Sequence, residues 1–202
     1  SRFGLAAKRP APLVDLPAFP GDQLDPQRTG GDLCVQACAD GSQVVEHAIR
    51  NLARIGGGVV ALRWQQHGFL ARPHGGGTGR NMLGFKDGTN NLRSRNPAQM
   101  RAHVWAHGDS SPSWMLGGTY LVARRVRSFV EHWDSSSLDE QERSIGRKKA
   151  NGAPLGGRHE FDPVDLTRVP ADSHILLANP RNGAASERER ILRRGYNFAD
   201  GL

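Results

Sequence analysis

The stretch Ser173-His174-Ile175-Leu176-Leu177-Ala178-Asn179-Pro180 sets one histidine at the mouth of a short apolar run, and Ile191-Leu192-Arg193-Arg194-Gly195-Tyr196-Asn197-Phe198 opens a second run with an arginine pair. Both runs read as strands. The polar loop from Arg181 to Arg190 lets them fold back on each other, so that His174 and an arginine face one cavity. Successive side chains alternate across a strand, so Arg193 and Arg194 point to opposite faces and only one of them can serve that cavity.

A third stretch, Gly84-Phe85-Lys86-Asp87-Gly88-Thr89-Asn90, supplies a carboxylate. Gly84 and Gly88 permit a tight backbone path, and the turn rather than a long side chain would aim Asp87. GFKDGTN, SHILLANP and LRRGYNF, with GGDLCVQACAD, GGTYLVARRVR and GAPLGGRHEFDPVDL, closely resemble the dye-decolorizing peroxidases, and most of all their secreted bacterial deferrochelatase/peroxidase branch. The match runs from Phe3 to Leu202. Any one of the aspartate, histidine and arginine would be a weak signal; the three in this order are specific.

The resemblance implies an α+β fold, a pair of ferredoxin-like βαββαβ halves whose antiparallel sheet is covered by helices, with haem between sheet and helices. It implies a peroxidase that reduces hydrogen peroxide and oxidises dyes or phenolic and other aromatic compounds. His174 would be the axial ligand of the haem iron, against the competing reading of a buried histidine with both nitrogens hydrogen-bonded. Asp87 would be the distal acid and base, against an ordinary turn aspartate, and Arg193 the distal guanidinium that stabilises charge on the departing oxygen. Gly88, Thr89 and Asn90 would follow one haem edge, and Asn179, Pro180 and Arg181 would line the other side. Arg147, in Ile145-Gly146-Arg147, is a candidate propionate partner, with a surface helix-end arginine as the alternative. An aspartate with the reference value near 3.9 stays ionised in mild acid, which implies an acidic activity optimum.

Composition bounds the alternatives. The chain has 202 residues, 37% hydrophobic and 23% charged, which suits one or two globular domains with a core. No apolar run reaches the roughly 18 residues that a membrane-spanning helix needs. A net charge of +7 would permit nucleic-acid binding. The clusters at Arg124-Arg125-Val126-Arg127, Arg147-Lys148-Lys149 and Arg188 to Arg194 lack an aromatic recognition motif, so a basic RNA-binding module ranks last and no nucleic-acid partner is expected.

The two cysteines, Cys34 and Cys38, share one face of the strand read at Leu33–Cys38, about 13 Å apart at 3.3 Å per residue, too far for a disulfide. They read as small buried hydrophobes. There is no C-x-x-C-H, so the haem would be the non-covalent b type.

The start, Ser1-Arg2-Phe3-Gly4, carries neither an initiator methionine nor a signal peptide, which reads as a processed or truncated piece. Relatives of this branch are exported through the twin-arginine route, which implies a periplasmic or extracellular place, and a homo-oligomer is possible.

Along the chain, residues 72–82 read as a glycine-rich connector, and the resemblance implies that residues 1–71 hold an extended Pro-rich segment and the end of a first half, and residues 83–202 most of a second, haem-binding half. Leu33–Ala39, Val59–Leu70 and Thr119–Ala123 are expected strands. Gln43–Ile55 is an expected helix with Ser42 as N-cap, and Ser137 three residues before Glu140 marks a capping box that opens a helix to about Arg147. Trp64, Trp105, Trp114, Trp133, Tyr120 and Tyr196 are the available electron carriers, each read first as core. His103 and His107 lie four apart with a Gly108-Asp109 stop beside them and no third ligand, which leaves them without a metal role.

Overall fold

The computed structural model describes residues 4, 6–71, 73–74, 76–108 and 111–200. Ser1–Phe3, Leu5, Arg72 and Gly75 of the expected connector, Asp109 of the expected stop, Ser110, and Gly201 with Leu202 lie outside the described residues. The backbone divides into two units, one of Asp15–His67 and one of Ser1–Val14 with Gly68–Leu202.

In the Asp15–His67 unit the principal element is helix α1, Ser42–Ile55. It begins one residue before the expected start. Gly41 occupies the N-cap and donates no side-chain cap, while Ser42 already lies in the first turn. At the other end the Gly56 N–H closes on Leu52 O at 2.9 Å, and Gly58, at φ +82, turns the chain away. Of the apolar residues expected on one face of this helix, Val44, Ala48, Ile49, Leu52 and Ile55, the structure leaves Val44, Leu52 and Ile55 exposed and partly covers Ala48 and Ile49. A single turn at Pro26–Arg28 is capped by Asp25, whose Oδ1 accepts the Gln27 N–H at 2.9 Å. Arg63 Nη2 and Trp64 Nε1 donate to Pro26 O and Gly30 O at 3.2 and 3.0 Å.

The other unit holds the remaining α-helices: α2 (Pro97–His103), α3 (Val130–Ser135), α4 (Leu138–Ile145), α5 (His174–Leu177) and α6 (Ala184–Arg188). The expected capping box is present in full. Ser137 N–H donates to Glu140 Oε2 at 2.8 Å, and the Glu140 N–H returns to Ser137 Oγ at 3.3 Å. Gly146 ends α4 at φ +88, and a Cβ there would lie 2.7 Å from Ile175 Cγ1, so α4 meets α5 at a point where only glycine fits. Asn96 caps helix α2 and Pro97 starts it, the usual residue types for those positions. The core is small and built on Phe85, Leu92, Met100, Ala153 and Val169.

The strand expectations need correction. Among the described residues Leu33–Ala39, Val59–Leu70 and Thr119–Ala123 form no ladder, and the β pairings are the isolated bridges Phe69 with Asn197, Arg80 with Lys86 and Arg147 with Pro154. Propensity marks a residue that suits a pleated surface, but a strand exists only where a neighbour takes its N–H and C=O groups. The apolar residues that gave the signal, Leu33, Val35, Val59, Leu62, Leu121 and Val122, are exposed on these unpaired segments. Cys34 and Cys38 are unbridged but exposed rather than buried, for the same reason. Trp105, Trp114, Tyr120 and Tyr196 are likewise exposed, whereas Trp64 and Trp133 are partly covered. The two runs expected to carry His174 and Arg193 as strands also differ: His174 opens helix α5, and residues 191–196 carry no ladder. No helix among the described residues is long and apolar enough to cross a membrane.

Candidate active site

The carboxylate of Asp87 is placed by a compact turn. Asn81 Oδ1 accepts the N–H groups of Leu83 and Phe85 at 3.1 and 3.2 Å, the Asn81 N–H donates to Phe85 O at 3.0 Å, and Gly84 takes φ +84. Phe85, 2% exposed, anchors the turn. Its ring meets Trp133 edge-on with centroids 5.9 Å apart, and Lys149 Nζ stands 5.6 Å from its centre. Arg80 fastens the outside, donating from Nη1 to Gly84 O and Lys149 O, both at 2.6 Å, and from Nη2 to Ala150 O at 2.8 Å. The Asp87 N–H closes on Gly79 O at 2.9 Å, and Gly88 follows at φ +114. The aspartate thus leaves a stretch whose main chain is fixed on both sides.

Arg193, 106 residues further on, forms an ion pair from Nη2 to Asp87 Oδ1. The pair keeps an open side: the Arg193 side chain is 48% exposed and that of Asp87 31%. Arg194 turns elsewhere, with Nη2 3.3 Å from the Tyr196 hydroxyl. Gly195 explains how the guanidinium lies back over its own chain, because a Cβ there would stand 3.3 Å from Arg193 Nη2 and 4.0 Å from Asp87 Oδ2.

His174 is the first residue of α5, after a buried Ser173. Its imidazole is exposed on one side and makes no hydrogen bond to a described residue. Its pKa lies below the ordinary histidine value, first because the protein around it weakens solvation of the charged ring, second because Arg193 repels a further positive charge; the Asp87 carboxylate opposes both. That Arg193 and Asp87 both act on the ring puts all three groups within one electrostatic neighbourhood. The ring is therefore neutral at physiological pH and offers a lone pair.

Of the flanking residues, Thr89 donates from its hydroxyl to Glu160 Oε1 at 2.9 Å, and Asn90 offers its carbonyl to Arg190 Nη2 at 3.3 Å. Asn179 spends its side chain locally: Oδ1 accepts the Arg181 N–H at 3.1 Å and helps hold Arg181 at φ +58. The Arg181 guanidinium then donates from Nη1 to Ile175 O and Asn179 O at 2.6 and 2.7 Å. No hydrogen bond joins Asn179 or Pro180 to the Asp87 turn.

Arg147 is not a surface arginine. It is 7% exposed and donates from Nη1 to Gly152 O and Glu160 O at 2.7 and 2.9 Å. Burial first, then repulsion from Arg181, lowers its pKa, while Glu160 acts the other way. Burial likewise lowers that of Arg181. The two guanidiniums repel each other, while the Glu160 carboxylate also takes the Lys86 ammonium and the Thr89 hydroxyl.

Sequence reasoning missed Glu160, Asn91 and Gly195. Glu160 sits in a glycine-rich loop with no local sign of burial, and its partner Lys86 lies 74 residues away. Asn91 directly follows the quoted turn motif, and its neighbourhood was the available clue. His103 and His107 have separate partners, Glu187 at 3.1 Å and the Trp105 carbonyl at 2.8 Å.

Comparison with known proteins agrees over the whole chain. The family model described as Dyp-type peroxidase, C-terminal, matches residues 78–201, and that described as Dyp-type peroxidase, N-terminal, matches residues 1–70. Proteins named deferrochelatase from Shigella flexneri serotype 5b and Escherichia coli K12 are each 42% identical over 212 residues, which is 100% of this chain and 50% of theirs. The chain thus spans about half the length of the curated relatives it matches.

Among solved structures, a DyP-type peroxidase from Streptomyces coelicolor superposes with a TM-score of 0.89 at 36% identity, covering 98% of this chain and 56% of that one. Ferric DtpA from Streptomyces lividans does so with 0.89 at 34%, again over 98% and 56%. These neighbours give the α+β, ferredoxin-like class that the resemblance implied. On the two family matches and the superpositions together, this chain belongs to the Dyp-type peroxidase family.

Proposed function

We propose that the chain carries the haem-binding and peroxide-reacting residues of a haem b peroxidase that oxidises dyes or phenolic and other aromatic compounds with hydrogen peroxide. The observation that carries the reading is the Asp87–Arg193 pair, open on one side and acting electrostatically on a neutral, unengaged His174. In this reading residues 1–71 close a first ferredoxin-like half and residues 83–202 form most of the second, with residues 72–82 between.

The residues present fit a haem. His174 has a free lone pair to give iron, and Arg181, with Arg147 behind it, would offer positive charge to the propionates. Gly88, Thr89 and Asn90 would follow one edge of the ring, and Asn179 and Pro180 the other. When bound, haem supplies the redox-active iron at which peroxide is reduced. Asp87, as a carboxylate, accepts the proton from the first peroxide oxygen and returns it to the second, which leaves as water. Each proton uptake loosens the ion pair, and the freed Arg193 N–H donates to the oxygen on which negative charge builds. The exposed side of the pair admits peroxide without a large opening.

The proteins named deferrochelatase, 42% identical, support a second reading, release of iron from haem with the porphyrin left intact. One experiment separates the two. Haem-loaded protein is expected to show a haem absorbance band, to yield its haem on acid–ketone extraction, and to bleach an anthraquinone dye on addition of peroxide. Free iron with intact protoporphyrin favours the second reading, and an extract without haem removes both. The setting we infer is periplasmic or extracellular, with no nucleic-acid partner and with self-association as a further possibility for sedimentation analysis.

Gly195 offers a finer test. Gly195→Ala puts a methyl group 3.3 Å from the Arg193 guanidinium, which must shift by a few tenths of an ångström. The bimolecular rate with peroxide in stopped flow is expected to fall about tenfold, since small misplacements near reacting atoms are costly. Thermal stability should change by less than about 0.5 kcal/mol, as for an exposed site. An unchanged rate would mean that the guanidinium does not act there.

A further inference from the structure

Asn91 stands four positions after Asp87, and its side-chain amide takes both backbone polar groups of a residue 102 positions away. Nδ2 donates to Arg193 O at 2.7 Å, and Oδ1 accepts the Arg193 N–H at 3.0 Å. Two such bonds are what a residue on a neighbouring strand would exchange with Arg193, and they occur where residues 191–196 have no ladder. The amide is itself fixed. Its Oδ1 also accepts the Leu92 N–H at 3.0 Å, and the Asn91 N–H donates to Gly88 O at 3.0 Å, on the tail of the Asp87 turn. The nearest parallel tie, from Arg190 Nη2 to Asn90 O, is single and longer, at 3.3 Å.

An arginine side chain has many rotamers, so a guanidinium is held at one spot only if its own Cα is held as well. We propose that Asn91 is a positioning residue for Arg193: by replacing a strand neighbour with one amide, it keeps the Arg193 main chain in register with Asp87. The guanidinium then meets the carboxylate in one arrangement. The proposal rests on the reading that Asp87 and Arg193 face the peroxide. It goes beyond that reading in assigning the register of the pair to a side chain that touches neither peroxide nor haem. Asparagine suits the task because it donates and accepts in one plane; aspartate can only accept, and alanine can do neither.

The test is a double-mutant cycle on haem-loaded ferric protein, read as cyanide affinity from the absorbance spectrum. Cyanide binds as the anion after hydrogen cyanide gives up its proton, so the acid–guanidinium pair governs its affinity without any turnover. Asn91→Ala is expected to weaken cyanide binding about tenfold, the worth of two ordinary hydrogen bonds. Arg193→Leu should weaken it at least as much, and adding Asn91→Ala to Arg193→Leu should change nothing further, because a residue acting through Arg193 has no effect once Arg193 is gone. If Asn91→Ala binds cyanide like the parent while Arg193→Leu is impaired, Asn91 does not position the pair. If it costs the same tenfold in both backgrounds, its role is general packing, and the proposal is equally lost. If Arg193→Leu itself binds cyanide normally, the assignment of the distal pair fails and this proposal falls with it. Should Asn91→Ala not load haem, Asn91→Asp, which keeps the acceptor and loses the donor, is measured in the same cycle with about a threefold loss expected in the parent background only.

Discussion

Asp87→Asn is expected to slow the bimolecular reaction with hydrogen peroxide by about 10²- to 10⁴-fold, the usual contribution of a positioned proton carrier. The substitution is nearly isosteric, and what holds the turn does not involve the lost charge. Asn81, the Gly79 carbonyl, the buried Phe85 ring and the Arg80 guanidinium all remain. An asparagine oxygen can still accept from Arg193, so the guanidinium keeps a partner, and haem loading and the melting temperature should stay near those of the parent. What disappears is a group able to take a proton and hand it back. Stopped-flow mixing with peroxide reads the rate, and parent-like rates with haem bound would remove Asp87 from the chemistry.

His174→Ala should abolish stable haem retention, measured by transfer to an excess of a haem-binding acceptor protein. His103 and His107 have partners of their own. The depressed pKa of His174 adds a pH dependence whose sign can be worked out. Burial and the Arg193 charge keep the folded ring neutral below the ordinary histidine value of about 6.5, whereas an unfolded chain takes up its proton near that value. Between the two values the unfolded state binds more protons. This group's contribution to folding stability is therefore present above about pH 6.5 and is lost as the pH falls toward the lower, folded value. The imidazole lone pair survives the same interval, so parent protein should hold haem from neutrality into mild acid and release it only on further acidification. The alanine variant should lose it throughout. Equal retention by the two would remove His174 as the ligand.

How far the sequence disclosed this arrangement depends on the range of the interactions involved. Short-range chemistry was legible. The Ser137–Glu140 capping box, the glycine frame around Asp87 and the limits of α1 within a residue or so all follow from contacts a few positions apart. His174 was singled out by its motif but put on a strand, whereas it opens a helix. A five-residue run such as Ser173 to Leu177 is too short for periodicity to separate strand from helix, and Ser173 at the N-cap position was the stronger sign.

The unpaired segments around Leu33, Val59 and Leu121 show the opposite limit: residue type records suitability for a sheet but cannot supply the neighbour that completes one. Glu160 and Asn91 were missed because their importance comes from partners 74 and 102 positions away, about which a local motif is silent.

The mutual repulsion of Arg147 and Arg181 has a thermal corollary. Arg147 is buried and Arg181 partly so, and two like charges deprived of part of their hydration raise the energy of the folded state; a bound dianion that reaches them lowers it again. The melting point should therefore climb in stepwise additions of a porphyrin dicarboxylate, and much less with its dimethyl ester, by the ordinary linkage between occupancy and unfolding. The guanidinium pair would thus make the heat tolerance of this polypeptide a gauge of the ligand's ionic groups rather than of its flat aromatic face alone.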